Sequence, residues 1–422
     1  LRRKTGIRSI IACHITDYLP FPGNKMFPYI QPALYRKIEP EERIYEFLVL
    51  LDKYPDTPVE TKAHWEETGA ILYTEGTTGV SKGVLLTHAS ISSNAQQLRA
   101  WLPDLKDAAE SILAVFPFFH SSGWMGIQNL SILNGWTIIL VPHPEPQAII
   151  EMMKKHKPTL LPVLPAVYAG LLAREELRKA GLAPVKGFLA GATPLSEAVI
   201  KKLKALKEAP IISVYGLTEI CAIGTATPWG GREKPGSVGV PLPGTDLRIV
   251  DAETGSRELT AGEVGEICFR GPQVMTGYCK KPGETAAALR DGWLFTGDIG
   301  ILDEAGYLTI LGKKRDLLVV NGRTVHPGEI DRALLADPEI LDACVIGLPD
   351  GDGGKTVKAY IVLKPGETTT AEEIIARCRE RLAPEQVPQE IVFIDALPKS
   401  ALGKVIRRAV NEMDKKSRQE KA

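Results

Sequence analysis

The chain has 422 residues, and its 51 Lys and Arg are balanced by 51 Asp and Glu. Zero net charge excludes a nucleic-acid binder held by bulk charge and an acidic solvating chain. At about 150 residues per domain the length suits two or three domains, and 44% hydrophobic with 24% charged residues is ordinary globular composition. No apolar run reaches the roughly 18 residues of a bilayer-spanning helix. The most apolar stretch, Ile127 to Val141, is broken by Gln128, Asn129, Ser131, Asn134 and Gly135 and reads as buried core. Cys13, Cys221, Cys268, Cys279, Cys344 and Cys378 are scattered, as are the histidines, with no metal-ligand spacing. That usage predicts reduced core cysteines in a cytoplasmic protein without a zinc centre. The chain begins at Leu1, and its apolar stretch Ile10 to Cys13 is too short for a signal peptide. A missing N-terminal segment is expected.

In chain order, Pro20, Pro22, Pro28 and Pro32 prevent one long helix from Tyr18 to Ala33. Residues 36–53 read as a short amphipathic helix. From Gly69 apolar runs alternate with helical segments. Strands are predicted at Ala70–Tyr73, Ser111–Phe116, Trp136–Val141, Thr159–Val163, Phe188–Ala190 and Ile211–Tyr215. Helices are predicted at Gln147–His156, Ala166–Lys179 and Leu195–Leu206. Such alternation implies a parallel sheet covered on both faces, an α/β fold. From about Gly236 to Thr309 short strands between Gly-rich turns predict an antiparallel β subdomain. After Asp316 comes a compact α+β domain, with strands Asp342–Leu348 and Lys358–Leu363 and a helix Ala371–Leu382. The charged tail Arg407 to Ala422 is expected to fray. The predicted division is residues 1–314, with a β-rich part at 235–311, followed by residues 315–422.

The strongest local signal is Tyr73-Thr-Glu-Gly-Thr-Thr-Gly-Val-Ser-Lys-Gly83. Small residues let backbone amides approach an anion, threonine hydroxyls add donors, and Lys82 adds a point charge. The loop suits a polyphosphate. It is not a P-loop kinase motif: counting from Gly76, Ser81 and Gly83 stand where Gly and Ser or Thr are needed. A phosphotransferase releasing ADP is therefore disfavoured.

With four further blocks, this loop resembles the adenylate-forming superfamily of acyl-CoA synthetases, luciferases and peptide-synthetase adenylation domains. The blocks are Tyr215-Gly-Leu-Thr-Glu219, Gly292-Trp-Leu-Phe-Thr-Gly-Asp298, Gly306 to Asp316 running on to Asn321-Gly322 and Pro327-Gly-Glu329, and Leu397-Pro-Lys-Ser-Ala-Leu-Gly-Lys404. They occur in the family's order over most of the chain. The resemblance implies a large N-terminal domain of α/β layers with a β subdomain, then a small mobile α+β domain. It assigns ATP, Mg²⁺ and coenzyme A.

It also assigns residues. Lys404 is the catalytic lysine, otherwise one surface lysine of a basic tail. Thr218 contacts phosphate, and Glu219 is associated with Mg²⁺; a strand-end carboxylate is also commonly a helix cap. Thr74, Gly76, Thr77, Thr78, Gly79 and Lys82 cradle phosphates. Asp298 accepts both ribose hydroxyls, although after Gly297 it also reads as a turn residue. Tyr215 stacks on adenine, with Gly191, Ala192, Thr193 and Gly216 around the base. Lys313 stands where the family has an arginine on the ribose, which keeps the charge but loses the planar fork. Arg315 and Asp316 mark the hinge. Asn321 and Gly322 lie beside the coenzyme A path. His120, after Val115-Phe-Pro-Phe-Phe119, lines the carboxylate pocket or packs in the core, and Trp124 and Met125 line an acyl tunnel or are plain core. Glu75 puts a negative charge in the phosphate loop.

The expected reaction is AMP-forming ligation of a medium- or long-chain fatty acid to coenzyme A. The residues Ile10 to Pro20 resemble a stretch of long-chain fatty acyl-CoA synthetases. Two alternatives stay open: an acyl-AMP ligase loading a carrier protein, and a truncated, non-catalytic paralogue binding nucleotide or acyl-CoA. The expected partners are a small carboxylic acid, ATP and coenzyme A, without nucleic acid and with peripheral membrane contact allowed.

Overall fold

The computed structural model describes residues 5–39, 41–74, 81–191, 195, 197–349, 354–400, 403 and 405–421. The chain divides into two compact units at Ala63. In the first, strands Ile10–Ala12 and Ile44–Glu46 pair in parallel. Helix Gly23–Ile30 is set off by short 3₁₀ turns at Ile15–Tyr18 and Pro32–Leu34, so the prolines do break the segment as expected. The helix expected over residues 36–53 is confined to Phe47–Lys53, because the β-rich Ile44-Tyr-Glu46 is taken up by pairing with Ile10–Ala12.

The second unit is built on a seven-stranded sheet. Its spatial order is Val240–Pro241, Thr225–Ala226, Ile211–Tyr215, Gly187–Ala190, Leu160–Pro162, Ser111–Ala114 and Thr137–Leu140. The last five are mutually parallel. Their Val-, Ile- and Leu-rich runs are those of strands covered on both faces. Helices Pro146–His156, Pro165–Leu172 and Glu197–Leu206 cross between them. The single helix expected over Ala166–Lys179 is broken into Pro165–Leu172 and Glu176–Lys179. Strand Thr68–Tyr73 does not join the parallel sheet. It pairs antiparallel with Gly83–Thr87, which takes Gly277–Tyr278 on its other side. The stretch from Ile127 to Val141 is only partly core: Ile127, Leu130 and Ile139 are buried, whereas Ile132, Leu133 and Leu140 face outward. It opens with a π-helical segment, Trp124–Asn129, capped by the Asn129 amide on the Trp124 carbonyl at 2.8 Å. Local periodicity does not signal such a turn.

The β-rich part is antiparallel as expected, in the order Asp246–Val250, Gly265–Arg270, Trp293–Leu302, Leu289–Arg290, with Leu308–Lys313 also on Trp293–Leu302. A smaller C-terminal part follows. Strands Ile340–Pro349, Lys355–Leu363 and Glu390–Phe393 form its sheet, under helices Pro327–Leu335 and Ala371–Arg381. Thr370 and Glu373 cap the second helix reciprocally.

The tail does not fray. Arg407–Lys421 is a helix whose Val410 is fully buried. Its Arg407 is bonded to the Val345 carbonyl at 2.8 Å and paired with Asp316 and Asp331. Helical spacing places Val410, Met413 and Asp414 on one stripe, which the high overall charge conceals. Asp414 is 2% exposed, and it receives Lys358 at 2.8 Å, the Tyr360 hydroxyl at 2.8 Å and Arg418 at 2.9 Å. Burial pushes its carboxyl up, but the Lys358 and Tyr360 bonds outweigh that and hold it below its usual value. With the folded pKa depressed, its stabilisation is present above about pH 4 and is lost as pH falls through the folded value. Asp414→Asn should therefore flatten the acid limb of the stability curve and cost about 2 kcal/mol at neutral pH. Denaturant midpoints at pH 7 and pH 3 check both.

Of the six thiols, Cys221, Cys268, Cys344 and Cys378 are buried, Cys279 is half-buried, and Cys13 is exposed, so not all are core. Among the described residues no helix is long and apolar enough to cross a membrane.

Candidate nucleotide-binding site

Two of the candidate residues, Gly191 and Tyr215, sit at the carboxyl ends of parallel strands, where open α/β sheets place their ligand crevices. Tyr215 ends strand Ile211–Tyr215, and Gly191 directly follows Gly187–Ala190. After Tyr215 the chain reverses, so that Thr225 pairs back against Tyr215 and the Gly224 amide donates to the Tyr215 carbonyl at 2.9 Å. Between them, Thr218–Ile220 forms one 3₁₀ turn, followed by Cys221 and Ala222 at positive φ. A Cβ on Gly216 would lie 1.7 Å from the Ala222 carbonyl oxygen. Only glycine lets this turn close, and the closure fixes Thr218 and Glu219 beyond the sheet edge.

Two polar clusters result. In the first, the Tyr215 hydroxyl donates to Asp298 Oδ2 at 2.7 Å, and Lys313 Nζ meets Asp298 Oδ1 at 2.5 Å. Asp298 and Lys313 face each other in register on strands Trp293–Leu302 and Leu308–Lys313. The Thr296 hydroxyl accepts the Asp298 amide at 3.0 Å. Asp298 is 5% exposed, so its charge is held by these partners rather than by water. Burial, and then the charge of Asp298, push the Tyr215 hydroxyl well above its usual pKa, so it stays a donor. A buried brace, Glu266, takes the Gly297 amide at 3.0 Å and Lys314 Nζ at 2.8 Å, fixing the backbone on both sides of the pair.

In the second, Glu219 Oε1 accepts the Tyr278 hydroxyl at 2.8 Å, and Lys82 Nζ lies 4.1 Å from the centre of the Tyr278 ring. Thr74 and Lys82 bond across the two ends of the Gly- and Thr-rich loop: the Thr74 amide donates to the Lys82 carbonyl at 3.0 Å, and the Lys82 amide donates to Thr74 Oγ1 at 3.3 Å. Gly76, Thr77, Thr78 and Gly79, with Glu75, lie outside the described residues, as do Ala192, Thr193 and Lys404. Lys404 is preceded by Gly403 at φ 73° and followed by Val405, which bridges back to Lys399.

Other candidates stand apart from these clusters. His120 caps the short turn Ser121–Gly123, its Nδ1 accepting the Ser122 amide at 3.2 Å. Phe119 beside it is 79% exposed, and Met125 is fully buried. Asn321 and Gly322, both at positive φ, form the two-residue turn between Leu318–Val320 and Arg323–Val325. Arg315 and Asp316 lie in the 3₁₀ turn Lys314–Asp316, with Asp316 paired to Arg407 at 3.2 Å.

Among the described residues no group of three or more His, Cys, Asp or Glu could hold a metal. A single carboxylate such as Glu219 suits Mg²⁺, a hard ion usually bound through one or two carboxylates with substrate phosphates and water. Tyr278 and Glu266 escaped sequence reasoning, since nothing in the local sequence separates them from ordinary strand residues, whereas Thr296 stands within the block Gly292 to Asp298 without an assigned role.

Residues 11–279 match the family of AMP-binding enzymes, and residues 329–404 match the AMP-binding enzyme C-terminal domain. The chain is 41% identical over 411 residues to a long-chain-fatty-acid–CoA ligase of Bacillus subtilis, covering 96% of this chain and 73% of that one. It superimposes on ATP-bound MatB of Rhodopseudomonas palustris with a TM-score of 0.83 at 28% identity, covering 96% and 78% of the two chains. The anthranilate CoA ligase AuaEII, in complex with anthranoyl-AMP, gives a TM-score of 0.82 at 25% identity, over 98% and 79%.

Proposed function

The chain belongs to the AMP-binding enzyme family, and we propose from that premise that it joins a medium- or long-chain fatty acid to coenzyme A. It is an AMP-forming acyl-CoA synthetase using ATP, Mg²⁺ and coenzyme A. In the first half-reaction a carboxylate oxygen attacks the α-phosphorus of ATP and pyrophosphate leaves. In the second the coenzyme A thiol attacks the acyl carbon, the acyl–phosphate bond breaks, and AMP leaves. Fatty acid is the substrate class favoured by the likeness to the Bacillus subtilis ligase. The cytoplasm is the compartment that six unpaired thiols favour.

The observation that carries the site reading is the buried Asp298 flanked by Tyr215 and Lys313. A carboxylate at a strand end can take a bidentate pair of ribose hydroxyls. Tyr215, Gly191, Ala192 and Gly216 then border the base, with Lys313 beside the ribose. Thr74, Lys82 and the loop between them, with Thr218, face the phosphates. Glu219 supplies the carboxylate for Mg²⁺, whose contribution when bound is charge neutralisation on the phosphates. Lys404 adds a cation where charge develops on the α-phosphate. His120 borders the acid, and Asn321 and Gly322 border the thiol path. Residues 1–314 form the adenylating domain and residues 315–422 the mobile one, hinged at Arg315 and Asp316. Separate apolar cores, one ending at Leu308 and two beginning at Leu318 and Cys344, support that boundary.

The test is the product formed with Mg-ATP, coenzyme A and acids from acetate to palmitate, read by mass spectrometry. Equimolar AMP and acyl-CoA, greatest with the longer acids, is the expected result. Acyl-adenylate and pyrophosphate without acyl-CoA, with AMP released only when a carrier protein is added, would point to a carrier-protein acceptor, and ADP would overturn the reading.

A further inference from the structure

We propose that Tyr278 is a positioning residue that couples Lys82 to Glu219, so that one side chain sets both the cation and the carboxylate that meet Mg-ATP. The inference rests on the nucleotide-site reading above and deepens it. Tyr278 lies in the two-residue strand Gly277–Tyr278, opposite Val84 in the strand that leaves the phosphate loop. The Cys279 amide donates to the Gly83 carbonyl at 2.7 Å, and the Tyr278 amide donates to Thr285 Oγ1 at 2.9 Å. Its backbone is thus pinned from two sides.

The side chain then reaches two groups that no other described residue joins. Its ring lies 4.1 Å beneath Lys82 Nζ, and its hydroxyl is 2.8 Å from Glu219 Oε1. The two contacts differ usefully in kind. A ring face holds a cation without occupying its hydrogen-bond donors. The ion-pair partner of Lys82 among the described residues, Glu284, is 3.9 Å away, beyond hydrogen-bonding reach. Toward the described residues the ammonium therefore keeps donors for an anion. The hydroxyl, by contrast, engages one oxygen of Glu219 and orients its carboxylate, the role outer partners play toward metal ligands. Tyr278 is 7% exposed and also packs in the main core. A test must therefore separate positioning from packing.

Tyr278→Phe does so, keeping the ring and deleting only the hydroxyl. The full chain and its variants would be titrated calorimetrically with ATP in excess Mg²⁺ and again in EDTA. Tyr278→Phe should weaken Mg-ATP binding about tenfold and leave metal-free ATP binding unchanged. Tyr278→Leu, which also removes the ring face, should weaken metal-free binding as well, by about threefold. In a Glu219→Gln background Tyr278→Phe should add nothing. Equal Mg-ATP affinity of Tyr278→Phe and the parent overturns the proposal while leaving the ligase reading intact, as does a fully additive loss with Glu219→Gln. Failure of the parent to bind ATP overturns both.

Discussion

Lys404→Ala is expected to abolish acid-dependent pyrophosphate release while leaving thioester formation from supplied acyl-adenylate largely intact. In the first half-reaction bonds form and break at the α-phosphorus, where the proposed cation would act; in the second they form and break at the acyl carbon. Loss of one such electrostatic contact lowers a rate by about a hundredfold to a thousandfold. Of its neighbours, Gly403 has positive φ and Val405 bridges to Lys399. Pyrophosphate release measured beside turnover of synthetic acyl-adenylate gives the answer. Unchanged release would remove Lys404 from the reaction, and equal loss in both assays would mean a structural role.

The second large effect is at Asp298. Asp298→Ala removes both of the proposed ribose acceptors and leaves Lys313 and the Tyr215 hydroxyl without their shared partner. Two hydrogen bonds to a charged acceptor amount to about 3–6 kcal/mol, so nucleotide affinity should fall by at least about a hundredfold. Asp298→Asn keeps one acceptor for Tyr215 but discharges the pair with Lys313, and should fall between. ATP and 2′,3′-dideoxy-ATP separate binding from stability. The parent should prefer ATP strongly, and the alanine variant should no longer discriminate. A variant that keeps full discrimination would place the ribose elsewhere.

The α/β alternation was readable because buried parallel strands announce themselves as short apolar runs, and Ile211–Tyr215 is found at its predicted bounds. The β-rich part was readable from its turns. The failures have particular causes. Strand Thr68–Tyr73 has the same composition as a parallel strand, and only its partner Gly83–Thr87, across the phosphate loop, makes it antiparallel. The C-terminal helix was hidden by charge, although its buried stripe of Val410 and Asp414 has helical spacing. Within the site, residues carried by Gly- and Thr-rich turns were nameable, since a tight turn leaves a compositional mark. Tyr278 and Glu266 were not, because their roles arise from pairings between segments distant in the chain.

Those distant pairings bear on when the molecule becomes competent during synthesis. The strand that leaves the phosphate loop acquires its second neighbour only when the region of Thr276 arrives, and Thr276 bonds to Leu85 across a separation of 191 residues. Contacts of such long range form slowly, after the costly closure of the intervening chain. A nascent polypeptide that has exposed its glycine- and threonine-rich loop, and even the complete parallel sheet, therefore still lacks Tyr278 beneath Lys82. At ribosomal rates of about 5–20 residues per second, that leaves an interval of roughly ten seconds or more. During it Lys82 exists without the aromatic ring that later packs beneath it.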